Sequence, residues 1–103
     1  MRVVLCTCPP DEARDLAKQL VDERLIACAN IVPGVTSVYR WEGKVCEDSE
    51  SLLVMKTTAE QLAELTDRIR SLHSYEVPEV IALPLAPGEG NPDYLRWLIG
   101  QVG

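Results

Sequence analysis

The sequence has little positive charge, no long apolar run and a single histidine. Ten Lys and Arg stand against sixteen Asp and Glu among 103 residues, which gives a net charge of −6. This balance argues against binding to nucleic acids or anionic membranes, because both need clustered positive charge. No apolar run approaches the roughly 20 residues that span a bilayer, and the start of the chain has no signal-peptide pattern. We therefore expect a cytoplasmic protein.

The chain has four cysteines, Cys6, Cys8, Cys28 and Cys46, which could form two disulfides in a small secreted scaffold. However, 47% of the residues are hydrophobic, so a core can form without cross-links. We expect reduced thiols in one domain that covers residues 1–103. A core of this size gives marginal stability unless oligomerisation buries further surface.

The spacing of apolar residues predicts four strands and three helices in the order β-α-β-β-α-β-α. Apolar runs indicate strands covered on both faces, and a repeat of three or four residues indicates helices. Pro33-Gly34 predicts either a bulge in the second strand or an edge position for that strand, and Trp41–Lys44 predicts a tight hairpin turn. The predicted strands are Arg2–Thr7, Leu25–Trp41, Val45–Met55 and Val80–Leu85, and the predicted helices contain Ala13–Val21, Leu62–Leu72 and Tyr94–Ile99.

Two of the predicted helices carry sequence signals at their N-termini. Thr57 with Glu60 fits the spacing of a capping box, and so does Thr58 with Gln61. Asn91 followed by proline predicts an N-cap for the third helix.

The predicted order of elements is that of a ferredoxin-like α+β sandwich with an antiparallel sheet. The first and third strands are the most uniformly apolar, as the two central strands of that fold should be. The hairpin formed by the second and third strands is longer than a four-stranded sheet on two helices requires. Its uncovered edge predicts edge-to-edge oligomerisation.

Six segments spread along the chain carry a resemblance to a known family: Val4–Thr7, Leu25–Ile31, Val38–Lys44, Met55–Thr57, His73–Val80 and Tyr94–Trp97. Together they resemble the CutA family, the divalent cation tolerance proteins. The resemblance implies a ferredoxin-like subunit, a homotrimer built by the long strands, and a link to metal-ion tolerance, especially to copper. It also implies an architecture similar to that of the trimeric PII signal proteins.

Cys6 and His73 are the candidate metal ligands. The resemblance implies copper ligands at the cysteine of a Leu-Cys-Thr motif and at a histidine pair, and the matching positions here are Cys6, Leu72 and His73. Thiolate and imidazole are both ligands that suit copper. Cys8 lies on the same strand face as Cys6 and could replace the missing histidine. The alternatives are a core role for Cys6 and a positively charged helix C-cap for His73.

A second group of candidates consists of Cys28, Trp41, Lys56, Tyr75 and Glu79. Lys56 ends an apolar strand, so we expect a carboxylate partner such as Glu79 or a place at a cleft mouth. The resemblance places such residues at clefts between subunits. A small anionic or planar ligand could bind there on Trp41 or Tyr75, with Lys56 supplying charge. The alternative is a structural ion pair with aromatic packing.

No motif in the sequence predicts catalysis, since there is no phosphate-binding loop, nucleophile elbow or paired zinc motif. The acidic stretch Glu47–Glu50 is expected to be a solvated hairpin face. The leading hypothesis is a trimeric metal-ion-binding protein of copper or divalent cation tolerance, without enzymatic activity. The alternative is a PII-like sensor or assembly module that binds a small ligand between subunits.

Overall fold

The computed structural model describes residues 1–103 as one four-stranded antiparallel sheet with three α-helices and a short 3-10 turn. The strand order is β2-β3-β1-β4, so β1 and β3 are central. This arrangement confirms the ferredoxin-like α+β prediction. The elements are β1 (Arg2–Cys8), α1 (Ala13–Asp22), β2 (Cys28–Trp41), β3 (Lys44–Thr57), the 3-10 turn Ala59–Gln61, α2 (Leu62–Leu72), β4 (Ile81–Pro84) and α3 (Pro92–Gln101).

The hairpin of β2 and β3 extends well beyond the other strands. Each of the two strands has 14 residues, but β1 pairs only with Ser51–Thr57 of β3. Lys44–Glu50 therefore runs past the end of β1 with one backbone edge open. Glu42 and Gly43 join the strands with φ angles of 49° and 79°, the left-handed pair that a tight two-residue hairpin turn requires.

The bulge predicted at Pro33-Gly34 is present. The pairing of β2 with β3 shifts between Val32 and Val35, where one extra residue enters β2. Gly34 has a φ of 72°, which a glycine adopts without a steric penalty.

The core lies between one face of the sheet and the helices α1 and α2. Alternate residues of β1 and β3 point towards these helices, and a stripe of α1 and α2 residues meets them. The fully buried members include Val4, Cys6, Cys8, Leu20, Ile26, Leu53, Met55, Leu65 and Ile69.

The opposite face of the sheet, here called the outer sheet face, is apolar but less covered. Val3, Leu5 and Val54 are half-buried there, since their side chains alternate with those of the core. On β4, Ile81 and Leu83 remain 50% and 47% exposed. Part of the apolar surface on this face therefore stays exposed within one chain.

Several predicted boundaries differ from the structure. Leu25–Ala27 precedes β2, although Ala27 N still donates to Lys56 O at 2.8 Å. β1 includes Cys8, and β4 is limited to Ile81–Pro84. The predicted N-cap Asn91 is confirmed, because its Oδ1 accepts from Asp93 N at 3.0 Å.

Both predicted capping boxes are wrong. Thr57 is the last residue of β3 and is fully buried, so its hydroxyl needs a partner and donates to Leu25 O at 2.6 Å. Thr58 precedes the 3-10 turn and makes no side-chain capping hydrogen bond. The α-helix itself begins only at Leu62.

Candidate functional site

Cys6 and Cys8 lie side by side on the helix-facing side of β1. Both are fully buried, which confirms that they share one strand face. Burial raises the pKa of the Cys6 thiol to about 12 and that of Cys8 to about 11, and neighbouring acidic groups add to both shifts. Both thiols are therefore protonated and unreactive near neutral pH.

His73 is the C-cap residue of α2 and is 8% exposed. Its Nδ1 accepts from Tyr75 N at 3.0 Å, so the ring proton is on Nε2, which donates to Thr7 O at 2.8 Å. His73 occupies the C-cap position that the alternative assigned to it, and both of its ring nitrogens are engaged in hydrogen bonds within the chain. His73 thus ties the loop after α2 to the end of β1.

The two metal candidates meet at one carbonyl oxygen. The Cys6 thiol donates to Thr7 O at 3.6 Å, and His73 Nε2 contacts the same oxygen. No group of three or more His, Cys, Asp or Glu side chains is arranged to hold a metal ion. One chain thus supplies a thiol and an imidazole close together, but Cys8 does not complete a closed four-ligand site with them.

The second group of candidates is divided between two places. One groove of about 590 Å³ lies between the distal part of the β2-β3 hairpin, residues 37–50, and the loop after α2. It is lined by Trp41, Tyr75 and Glu79, among other residues. Lys56 and Cys28 do not line this groove.

Lys56 and Cys28 lie opposite each other on β3 and β2, at the base of the hairpin. Lys56 Nζ donates to Asn30 Oδ1 and forms no ion pair with Glu79, so the expected pair is wrong within one chain. Cys28 Sγ lies 3.8 Å from the Tyr94 hydroxyl of α3.

The groove is acidic. Asp48, Glu50 and Glu76 line it together with Glu79, and none of its eleven lining residues is a lysine or an arginine. Lys56 therefore cannot supply charge to an anion bound in the groove of the same chain. Glu50 is only 5% exposed, so the expectation of a solvated hairpin face is wrong for this residue.

Two of the four carboxylates in the groove accept hydrogen bonds from tyrosine hydroxyls. Tyr75 donates from its hydroxyl to Glu50 Oε2 at 2.8 Å, and Tyr39 donates to Asp48. Burial, followed by the bond to Glu50, raises the pKa of Tyr75, and the bond to Asp48 raises the pKa of Tyr39 to about 12. Both phenols therefore remain neutral donors across the physiological pH range.

Comparison with known proteins assigns the family. A model described as "CutA1 divalent ion tolerance protein" matches residues 2–101. The chain is 56% identical over 102 residues to the divalent-cation tolerance protein CutA of Thermus thermophilus, with 98% of this chain and 97% of that protein covered. The chain belongs to the CutA1 family.

Other members of the CutA1 family show the range of the similarity. The Protein CutA homolog of Xenopus laevis is 50% identical over 97 residues, which cover 93% of this chain but 62% of that protein. The solved apo structure titled PII-like protein CutA from Nostoc sp. PCC 7120 is 33% identical with a TM-score of 0.94, covering 100% of this chain and 98% of that one. None of the three α-helices has the length and the apolar composition of a membrane-spanning segment.

Sequence reasoning missed that Asp48 and Glu50 line the groove beside the hairpin. It also missed that Asn30 accepts the hydrogen bond from Lys56. A period of two along β3 puts Asp48 and Glu50 on the same face as Leu52, so their common orientation could have been found. The loop that brings Tyr75 onto Glu50 comes from a distant part of the chain, and no local pattern indicates that contact.

Proposed function

We propose that this CutA1 family member is a cytoplasmic, trimeric metal-ion-binding protein, without enzymatic activity, that contributes to copper or other divalent cation tolerance. The chain is a single domain, residues 1–103, and its role is in the response to metal ions. The observation that supports this most is the meeting of Cys6 and His73 at Thr7 O, because it places a thiol and an imidazole together in a divalent-ion tolerance family.

Assembly into a trimer is supported by surfaces that one chain leaves uncovered. Ile81 and Leu83 on the outer sheet face are about half exposed, and Val38 and Val45 on the hairpin are 64% and 68% exposed. The open backbone edge of Lys44–Glu50 can also pair with another strand. Association of copies would bury this apolar surface and satisfy that edge.

Copper binding at this site must displace a proton from Cys6, since burial keeps the thiol protonated. His73 must also give up one of its two hydrogen bonds to act as a ligand. The apparent affinity should therefore rise with pH, by roughly tenfold per pH unit for each thiol that loses its proton.

Calorimetric titration of the reduced protein with Cu(I) and Cu(II) tests this proposal. We expect saturable binding of about one ion per subunit, lost in Cys6→Ser and in His73→Ala. Cys46→Ser is the matched control, because Cys46 lies in the hairpin away from Thr7. Light scattering must show that each variant keeps the oligomeric state. If the wild type does not bind copper, or if neither substitution changes the binding, the proposed site at Cys6 and His73 is wrong.

A second candidate function is a PII-like sensor that binds a small planar anion at an inter-subunit cleft. The similarity to the structure titled PII-like protein favours it. It requires Lys56 to reach the groove of a neighbouring subunit, because one chain's groove has no lining cation. A panel of planar anions that includes benzoate should then raise the melting temperature of the wild type but not of Lys56→Ala. Lys18→Ala, on the exposed side of α1, should behave as wild type.

A further inference from the structure

Helix α3 is attached to the rest of the chain at few points. The main hydrophobic core is built from the sheet, α1, α2 and the segment before β2, and it contains no residue of α3. Leu98 is the one buried residue of α3, whereas Tyr94, Trp97 and Ile99 are about half exposed. A segment with so little buried apolar surface can open locally while the core stays folded.

The loop before α3 has the features of a hinge. It covers residues 85–91 and contains Gly88 and Gly90, whose φ angles are 75° and 104°. Glycine adopts such angles without the steric penalty that a side chain causes. The backbone of this loop is joined to the sheet by one hydrogen bond, from Leu85 N to Met1 O at 3.3 Å. The N-terminal end of α3 is therefore held loosely.

Arg24 is an unusual residue at the end of α1. Leu25 N donates to Leu20 O and Arg24 N donates to Val21 O, which is the hydrogen-bond pattern of a Schellman motif. The residue at the position of Arg24 in this motif is left-handed, and its φ is 61°. Glycine is the usual residue there, because a side chain is strained in this conformation.

The Arg24 side chain links the end of α1 to the end of α3. Its Nη2 donates to Gly100 O at 3.2 Å, one of the last carbonyls of α3, which have no partner within the helix. Its backbone O accepts from Gly103 N at 3.0 Å, just after α3. A glycine at position 24 would keep the second of these bonds and lose the first. The arginine therefore adds a contact with α3 at a position where the local backbone favours glycine.

α3 lies against the base of the β2-β3 hairpin. Its Tyr94 hydroxyl is 3.8 Å from Cys28 Sγ, and Cys28 is paired across the sheet with Lys56. Movement of α3 away from the sheet would break the contact between Tyr94 and Cys28. The half-buried Cys28 thiol would then become more exposed to solvent.

We propose that α3 is a lid over the base of the hairpin, with a hinge at Gly88 and Gly90 and a latch at Arg24. In the closed state the latch holds Tyr94 against Cys28. In the open state α3 leaves the sheet, while the core and α1 keep their structure. The lid does not involve the Cys6 and His73 pair, so the failure of the metal-binding proposal leaves it standing.

Amide hydrogen exchange measured by mass spectrometry reports how often the lid opens. In the wild type we expect α3 peptides to exchange faster than peptides of β1 and β3, because local opening is more frequent than global unfolding. Arg24→Gly removes the guanidinium but suits the left-handed backbone, so the end of α1 is preserved. It should raise the exchange rate of α3 by roughly three- to tenfold, the factor that corresponds to one ordinary hydrogen bond, and should not raise that of β1 or β3.

Alkylation of Cys28 by iodoacetamide gives a second readout. Cys46 is the internal reference, because it lies near the opposite end of the hairpin from Cys28. The labelling rate of Cys28 relative to Cys46 should rise in Arg24→Gly by a factor similar to that of the exchange rate. Arg14→Ala removes an equal charge from an exposed position of α1 that forms no ion pair, so it should behave as the wild type.

Four results would overturn the proposal. If α3 of the wild type exchanges as slowly as β1, it belongs to the cooperative core or is held by a second copy of the chain. If Arg24→Gly leaves the exchange of α3 unchanged, Arg24 is not a latch. If Arg24→Gly accelerates exchange in α3 and β1 alike, or unfolds at a lower urea concentration, the arginine stabilises the whole fold. If the exchange of α3 rises but the relative labelling of Cys28 does not, α3 does not cover this thiol.

Discussion

Thr57→Val should destabilise the protein, because the Thr57 hydroxyl has a structural role rather than a capping role. The residue is fully buried, and its Oγ1 donates to the carbonyl of Leu25 at 2.6 Å. Valine has nearly the same shape, so the substitution creates no cavity and removes only the donor. A buried carbonyl left without that donor costs about 1–3 kcal/mol of unfolding free energy.

Thr58→Val is the matched control for this prediction. Thr58 makes no side-chain capping hydrogen bond, so its substitution should change the unfolding free energy by less than about 0.5 kcal/mol. Urea denaturation followed by circular dichroism, at equal protein concentration for all variants, measures both effects. The structural reasoning is refuted if Thr58→Val is the more destabilising change, since that result would restore a cap at Thr58.

Two other outcomes follow from the charged and thiol groups. Hydrogen bonds from Arg68 and Gln19 lower the pKa of Glu23 to about 2, so the stability it contributes is present above about pH 4.5 and lost as the pH falls towards 2. Glu23→Gln should therefore flatten the pH dependence of urea unfolding in that range, and an unchanged slope would contradict this. In the folded protein, iodoacetamide at pH 8 should not alkylate Cys6 or Cys8, whose pKa values are raised by burial, and mass spectrometry of the labelled peptides checks this.

The sequence was sufficient to predict the fold because the signals for its elements are local. Alternating and helical spacings predicted the order of elements, Pro33-Gly34 predicted the bulge, and the apolar runs identified β1 and β3 as central. The capping box predicted at Thr57 failed because its Thr-x-x-Glu spacing also fits a strand end. There the tertiary contact of Thr57 with Leu25 O takes the hydroxyl instead.

The candidate sites were predicted less completely because they depend on contacts between distant segments. The shared face of Cys6 and Cys8 followed from strand alternation, and the structure confirms it. The pairing of Lys56 with Glu79 rested on charge alone, and an amide of the neighbouring strand takes the lysine instead. The burial of Glu50 requires the loop around Tyr75, which the chain reaches only after another helix.

The bulge at Pro33-Gly34 acts as a phase shift between two halves of β2. Before it, Cys28 and Asn30 share a face with their β3 partners, and after it Tyr39 and Trp41 occupy that same face although their numbers are odd. Deleting one residue of the bulge would restore an unbroken alternation. A single residue would then stand opposite Ser51, between the pairs Val32–Leu52 and Val35–Glu50, so Tyr39 and Trp41 would stay on the face that they now occupy. The extra residue therefore determines the local bend and twist of the hairpin, and not the side of the sheet on which its aromatic residues lie.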